Sequence, residues 1–255
     1  MPFRPLNPKF AVPQVGINAE KVLICDNGVV GGNHLVVRYF DDFLGDVIAD
    51  QWGVDKGSDG SAANFAVSAA VNGMLRATCG AGAGVSMAAN GVQLHQSLQW
   101  KANMGNLEIE ARIKLSAITN IAVFVGFTDT LSLEMPIHSA ASANTITTNA
   151  TDAVGFFFDT SMTADTFWLA GVKADTDGTH VNSTIAPVAD TWIRLKIEVD
   201  SSGNATGFIN GVRVGQVANA CTATVAMTPV IAAFTRSAAT ATVDVDYIDI
   251  IASRA

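Results

Sequence analysis

Nine consecutive residues, Leu107–Leu115, alternate without exception: Leu107, Ile109, Ala111, Ile113 and Leu115 are apolar, while Glu108, Glu110, Arg112 and Lys114 are charged. Side chains of an extended chain point to opposite faces with period two, so this segment is a strand with one buried and one wet face. On a helix the same charges would be spread around the whole circumference, and no apolar stripe would form. Trp192–Val199 repeats the pattern, with Ile193, Leu195, Ile197 and Val199 opposed to Arg194, Lys196 and Glu198. In 242–251, Val243, Val245 and Tyr247 alternate with Asp244 and Asp246, and the phase slips near Ile248, as at a bulge.

Residues 121–127, 154–159 and 167–173 are more continuously apolar, as expected of strands buried on both faces or covered by loops. Turn signals separate these runs. Ser201-Ser202-Gly203-Asn204 reads as a hairpin loop, and Asn210-Gly211 suits a type I′ turn, whose two central residues both need positive φ. Further turns fall at 80–84 and at Asn90-Gly91, and no stretch longer than ten residues has a helical apolar period with caps. Frequent short strands with Gly and Asn turns point to a sandwich or barrel, and 255 residues suit one large β domain.

The N-terminus differs. Four of the seven prolines lie in the first thirteen residues, at positions 2, 5, 8 and 13, which excludes a helix or a central strand there. The segment reads as an extended arm whose Phe3, Leu6 and Phe10, with Arg4 and Lys9, are candidates for docking against a partner. Residues 21–24 and 34–40 read as short strands, so 1–40 is expected to be an arm with one or two strands and 41–255 the sandwich. A net charge of −8 argues against general nucleic-acid binding, which needs cations to displace condensed counterions. Only 15% of residues are charged, which hints at surface covered by other subunits and at a homo-oligomer. Three cysteines, Cys25, Cys79 and Cys221, cannot all pair within one chain, and free thiols in a reducing cytoplasm are expected. The first residues lack the apolar core of a signal peptide, and no apolar run is long enough to span a bilayer. The expectation is a protein neither exported by the usual route nor embedded in a membrane.

Five segments carry a family resemblance: DDFLGDVIADQW (41–52), GNLEIEARIKLS (105–116), AVGFFFDTSMTADTFWLAGVKADTDGT (153–179), ADTWIRLKIEVDSSGNATGFINGVRVG (189–215) and VDYIDI (245–250). They resemble the concanavalin A-like and laminin G-like jelly-roll domains of tailed-phage proteins, over roughly 40–252. The resemblance implies an all-β, concanavalin-like jelly-roll β-sandwich preceded by the Pro-rich arm. Scaffolds of this kind host lectins, glycosidases, adhesion modules and virion proteins, so it specifies activity poorly.

Glycosidases on this scaffold carry an E-x-D-x-x-E pattern that sets two carboxylates about 5 Å apart. Glu108-Ile109-Glu110 comes nearest, but the third acid is missing and Arg112 and Lys114 share its face, so cross-strand ion pairing is the expected role. Asp244, Asp246 and Asp249 read as a solvated edge, with only the first two on one face. Asp175-Thr176-Asp177-Gly178 resembles the first half of a calcium loop, with Ala186 where the bidentate Glu belongs; Asp175 and Asp177 are the calcium candidates. His34, His95, His138 and His180 show no metal-ligand spacing, and His95 reads as a surface imidazole. Ser86 lies in Gly84-Val85-Ser86-Met87-Ala88, which lacks the closing Gly of a nucleophile elbow. Trp52, Trp100, Trp168 and Trp192 are expected mostly in the core.

The expectation is therefore a non-enzyme with no catalytic residue, no cofactor and no strong metal site. Its leading role, implied by the resemblance, is a virion structural protein: a capsid decoration or cement protein on the capsid exterior, assembled in the host cytoplasm. The major capsid protein and neighbouring copies of itself would be its partners. The alternatives are a carbohydrate-binding or host-adhesion module and a polysaccharide hydrolase.

Overall fold

The computed structural model describes residues 36–59, 64–68, 73–81, 86–140, 144–176 and 179–254. Phe3, Arg4, Leu6, Lys9 and Phe10, the strand expected at 21–24, His34, Cys25 and Asp177 lie outside the described residues.

In chain order the strands are β1 (Val36–Asp41), β2 (Gly53–Lys56), β3 (Asn64–Val67), β4 (Leu75–Cys79), β5 (Val92–His95), β6 (Leu107–Leu115), β7 (Ile121–Thr128), β8 (Ile137–Ser139) and β9 (Ile146–Thr148). They continue with β10 (Ala153–Asp159), β11 (Trp168–Val172), β12 (His180–Asn182), β13 (Trp192–Val199), β14 (Ala205–Ile209), β15 (Val212–Val217), β16 (Thr228–Thr235) and β17 (Ala241–Ser253). Helix is confined, among the described residues, to one turn, α1 (Met87–Asn90), and a 3-10 turn at Ala102–Met104. Ser86 caps α1, its Oγ accepting the Ala89 N–H at 3.3 Å. Among the described residues no helix is long and apolar enough to cross a membrane.

Two antiparallel sheets form the sandwich. The first runs β15-β14-β13-β6-β17-β4-β3, and β1 pairs with the C-terminal half of β17 beside β4. The second runs β12-β11-β10-β7-β16-β5-β2. Alternation sends Leu107, Ile109, Ile113, Leu195, Ile197 and Val243 of one sheet inward against Val123, Val125, Phe127, Phe156 and Ile231 of the other, and this shared core is almost wholly buried. At about 25 cal/mol per Å² of apolar surface removed from water, such burial is the main term holding the sheets together.

The expected bulge is present: the β17 register against β6 shifts between Val245 and Tyr247, and Ile248 is the first inward residue of the new phase. The extra residue resets the phase, so Asp249 returns to the same outer face as Asp244 and Asp246, contrary to the sequence reading. The Asn210-Gly211 turn matches its expectation, with φ of 51° and 82°.

The second sheet differs in having two apolar faces. Phe124, Phe157, Trp168, Ala232 and Phe234 point outward from it into a second cluster, closed by Met135, Ile137, Ile146 and Ala150 of the β7–β10 connection. This explains the continuously apolar runs of β7, β10 and β11. Gly155 makes room within the layer, since a Cβ there would lie 2.5 Å from Cζ of Phe124. Arg236 fastens the cover. Its guanidinium bonds both carboxylate oxygens of Asp159, which is 1% exposed, and Asp159 also accepts the N–H of Ser139 on β8 at 2.8 Å.

Candidate functional site

The outer face of the first sheet is polar, and its charges are paired across strands. On β17, Asp249 takes a two-pronged bond from Arg38, at 2.8 Å for each prong, and Asp246 takes one from Arg112 at 2.7 Å. Asp244 is held by Arg76 at 2.7 and 2.9 Å and by Lys114 at 3.1 Å. At 1% exposure Asp244 is buried, which corrects the expectation of a solvated edge. Burial alone would raise its carboxyl, but Arg76 and Lys114 outweigh it and hold the group below the usual carboxylate range. Arg112 and Lys114 also lie over the ring of half-buried Trp192, 4.9 and 5.1 Å from its centroid. The other three tryptophans are buried, and their indole N–H groups reach Asp41, Gln96 and the Ala164 carbonyl.

Glu108 and Glu110 do not act as a pair. Glu110 accepts the Tyr247 hydroxyl at 2.6 Å and has Arg194 at 3.8 Å. Glu108 instead faces Glu198, its register partner across β6 and β13. Lys196 lies between them, its Nζ 3.0 Å from Glu108 and 2.8 Å from Glu198. Ion pairing across strands was thus legible in the alternation, and the partners come from β13. Burial pushes the Glu108 carboxyl up, with Lys196 pulling the other way. For Lys196, burial opposes the charge, but its two carboxylates keep the ammonium above its ordinary range.

Glu108 and Glu198 line an open trough of about 600 Å³ where β6, β13 and β14 end, continued by Asn106, Asp200, Asn204 and Thr206. Asp200 is fixed there by the hairpin, accepting the Ser202 and Asn204 N–H groups at 2.8 and 3.0 Å and the Asn204 amide at 2.8 Å. The centroid of the Phe208 ring lies 5.8 Å from Lys196 Nζ. Carboxylates, amides and hydroxyls around an open groove suit a ligand rich in hydroxyl groups. Alternation places Glu198 on the outer face with Lys196, but nothing local in the sequence brings either to Glu108.

The remaining candidates stay apart. Asp175 is exposed in a turn with φ of 58°, and among the described residues no group of three or more His, Cys, Asp or Glu could hold a metal ion. His95 is not a surface imidazole: its side chain is 14% exposed, with Nε2 3.0 Å from Asp55 and Nδ1 2.9 Å from the Gln96 carbonyl. His180 Nε2 lies 2.7 Å from the Asn144 carbonyl. Cys79 and Cys221 are buried free thiols, pushed up to about 12 by burial.

No protein-family model matches the chain, and no curated protein matches it. Solved structures do share its fold. One, from a study of endo-acting O-glycanases of the human gut microbiota, is 8% identical over 85% of this chain and 99% of its own, with a TM-score of 0.59. A β-1,3-1,4-glucanase (lichenase) from a mouse hindgut metagenome is 12% identical over 84% of this chain and 98% of its own, TM-score 0.54. A Bacillus licheniformis β-glucanase is 12% identical over 84% and 97%, TM-score 0.52. The concanavalin-like jelly roll is thereby shown. The expectation that the chain is not an enzyme is overturned, because the fold it shares is that of proteins named as glycan-cleaving enzymes. The virion role gains no support from these structures.

Proposed function

We propose that the chain binds carbohydrate, with an oligosaccharide lying in the trough over Glu108, Glu198, Asp200, Asn204 and Thr206. The observation that carries this reading is the trough itself, where carboxylates, amides and hydroxyls converge. Sugar hydroxyls would donate to the carboxylates. The glycan-acting proteins that share the fold support the same reading.

A second reading, cleavage of the bound glycan, is favoured by the facing carboxylates. Burial raises Glu108, as a general acid requires, and Glu198 stands directly across the strand pair as a nucleophile or base would. For that chemistry Lys196 must swing out of the gap and admit the glycosidic oxygen.

Titration calorimetry with β-glucan and O-glycan oligosaccharides tests binding. The expected result is measurable affinity that falls about tenfold or more in Glu198→Gln, as for one lost hydrogen bond to a charged group. No binding to any glycan class, or binding untouched by Glu198→Gln and Glu108→Gln, refutes the proposal. Release of new reducing ends by the wild type, abolished in Glu108→Gln, would establish the second reading.

A further inference from the structure

A separate pocket of about 500 Å³ opens on the outer side of the second sheet, between α1, residues 133–138 and the end of β16. Met87, Leu133 and Phe234 give it an apolar lining, and Ser86, Glu134, His138, Asn149 and Arg236 are its polar groups, the Ser86 hydroxyl already accepting the Ala89 N–H. It shares no residue with the trough.

The charges in it do not balance. Arg236 is committed to Asp159 through both carboxylate oxygens and stacks over Phe234, 4.7 Å from the ring centroid. Burial pulls the His138 imidazole below its ordinary range, favouring the neutral ring, and Nδ1 lies 2.8 Å from the Ser139 carbonyl. Asn149 donates its amide to the Met135 carbonyl at 2.8 Å. Glu134 is left over. No cation among the described residues pairs with it, and its Oε1 is buried without a hydrogen-bond partner. The carboxylate that acts on it electrostatically is Asp129, whose Oδ1 is also buried and unpartnered. Burial first, and Asp129 second, push Glu134 upward. Behind it lies Gln93, fully buried, whose Oε1 accepts the Glu134 N–H at 3.0 Å while its Nε2 finds no partner.

We propose that this pocket takes a compact ligand bearing a primary ammonium group, with Glu134 as its ion-pair partner and Met87, Leu133 and Phe234 receiving its apolar side. An anion is disfavoured, because Asp159 already neutralises Arg236 and the uncompensated charge is negative. A neutral ligand would leave the Glu134 charge desolvated and unpaired, which is costly. Two carboxylates fall short of the oxygen ligands that a divalent metal ion collects. An ammonium supplies both the charge and the hydrogen-bond donors that the fold withholds.

The test is titration calorimetry near neutral pH with two amines, glucosamine and cyclohexylamine, against glucose, N-acetylglucosamine and cyclohexanol. Both amines are expected to bind and to compete with each other, and the neutral analogues to bind at least tenfold more weakly. Glu134→Gln should weaken amine binding about tenfold or more, the loss of one hydrogen bond to a charged group. Glu108→Gln, in the trough, should leave it unchanged, so the glycan reading and this one fail separately. Thermal unfolding checks that Glu134→Gln folds, and Glu134→Met, of similar length without the carboxyl, repeats the measurement. Equal binding of amines and neutral analogues, full affinity in both Glu134 variants, or loss on Glu108→Gln would overturn the proposal.

Discussion

Replacing Asp159 by Ala should loosen the cover on the second sheet more than any change to an exposed charge. Its carboxylate is 1% exposed and accepts from the Arg236 guanidinium twice, from the Ser139 N–H at 2.8 Å and from the Ser161 N–H at 3.0 Å. Removing one partner of a buried ion pair costs about 3–5 kcal/mol, because the other charge is left uncompensated. The Arg236 side chain keeps 18% of its surface in contact with water, which places the charge penalty near the lower end. Two backbone N–H groups left without acceptors add about 1 kcal/mol each. The expected total is about 3–5 kcal/mol, which for a chain of this size lowers Tm by roughly 10 °C. Urea unfolding of the wild type, Asp159→Ala, Arg236→Met and the double variant measures it. The double variant should recover part of the single-variant losses, since the orphaned charge is gone. An Asp159→Ala loss under about 1 kcal/mol, or a double-variant loss equal to the sum of the two, would refute the reasoning.

Asp244 contributes to pH dependence. Its carboxyl is lowered in the folded state, so its stabilisation is present above the unfolded value of about 3.9 and disappears as pH falls through the folded value. The stability gap between wild type and Asp244→Asn should therefore close in urea titrations at successively lower pH, starting below about pH 4. Cys79 and Cys221, pushed up to about 12, should resist an aromatic disulfide reagent in the native protein and react once it is unfolded by denaturant. Gly126→Ala puts a Cβ 2.2 Å from the Val154 carbonyl oxygen and 2.5 Å from Gly155 Cα, backbone atoms that cannot step aside. It should cost about 3 kcal/mol or abolish soluble expression, read from the urea midpoint and the yield.

Strand positions were legible wherever one face is wet. Leu107–Leu115 and Trp192–Val199 coincide with β6 and β13 to the residue, because the charge alternation marks both ends. The Asn210-Gly211 turn was equally clear, since its φ requirement is local. Legibility failed where meaning depends on a distant neighbour. The bulge in β17 was legible as a slip in the alternation near Ile248, but not its consequence, that Asp249 returns to the face of Asp244, because that depends on the pairing with β6. Asp244 looked solvated because its partners, Arg76 and Lys114, come from two other strands. The trough was not legible because Glu108 and Glu198 are ninety residues apart in the chain, nor the pocket, because Glu134, His138 and Arg236 lie in unrelated segments.

Side-chain alternation is a property of a few neighbouring residues, so the chain's own order determined that it forms strands and which side of each strand is wet. It also determined that some strands need cover on both faces. Which segment supplies that cover, which acid faces which base, and which carboxylates end up without a partner were decided only when the sheets closed. Those outcomes depend on registers between strands far apart in sequence, where a slip of one residue would turn every side chain to the opposite face.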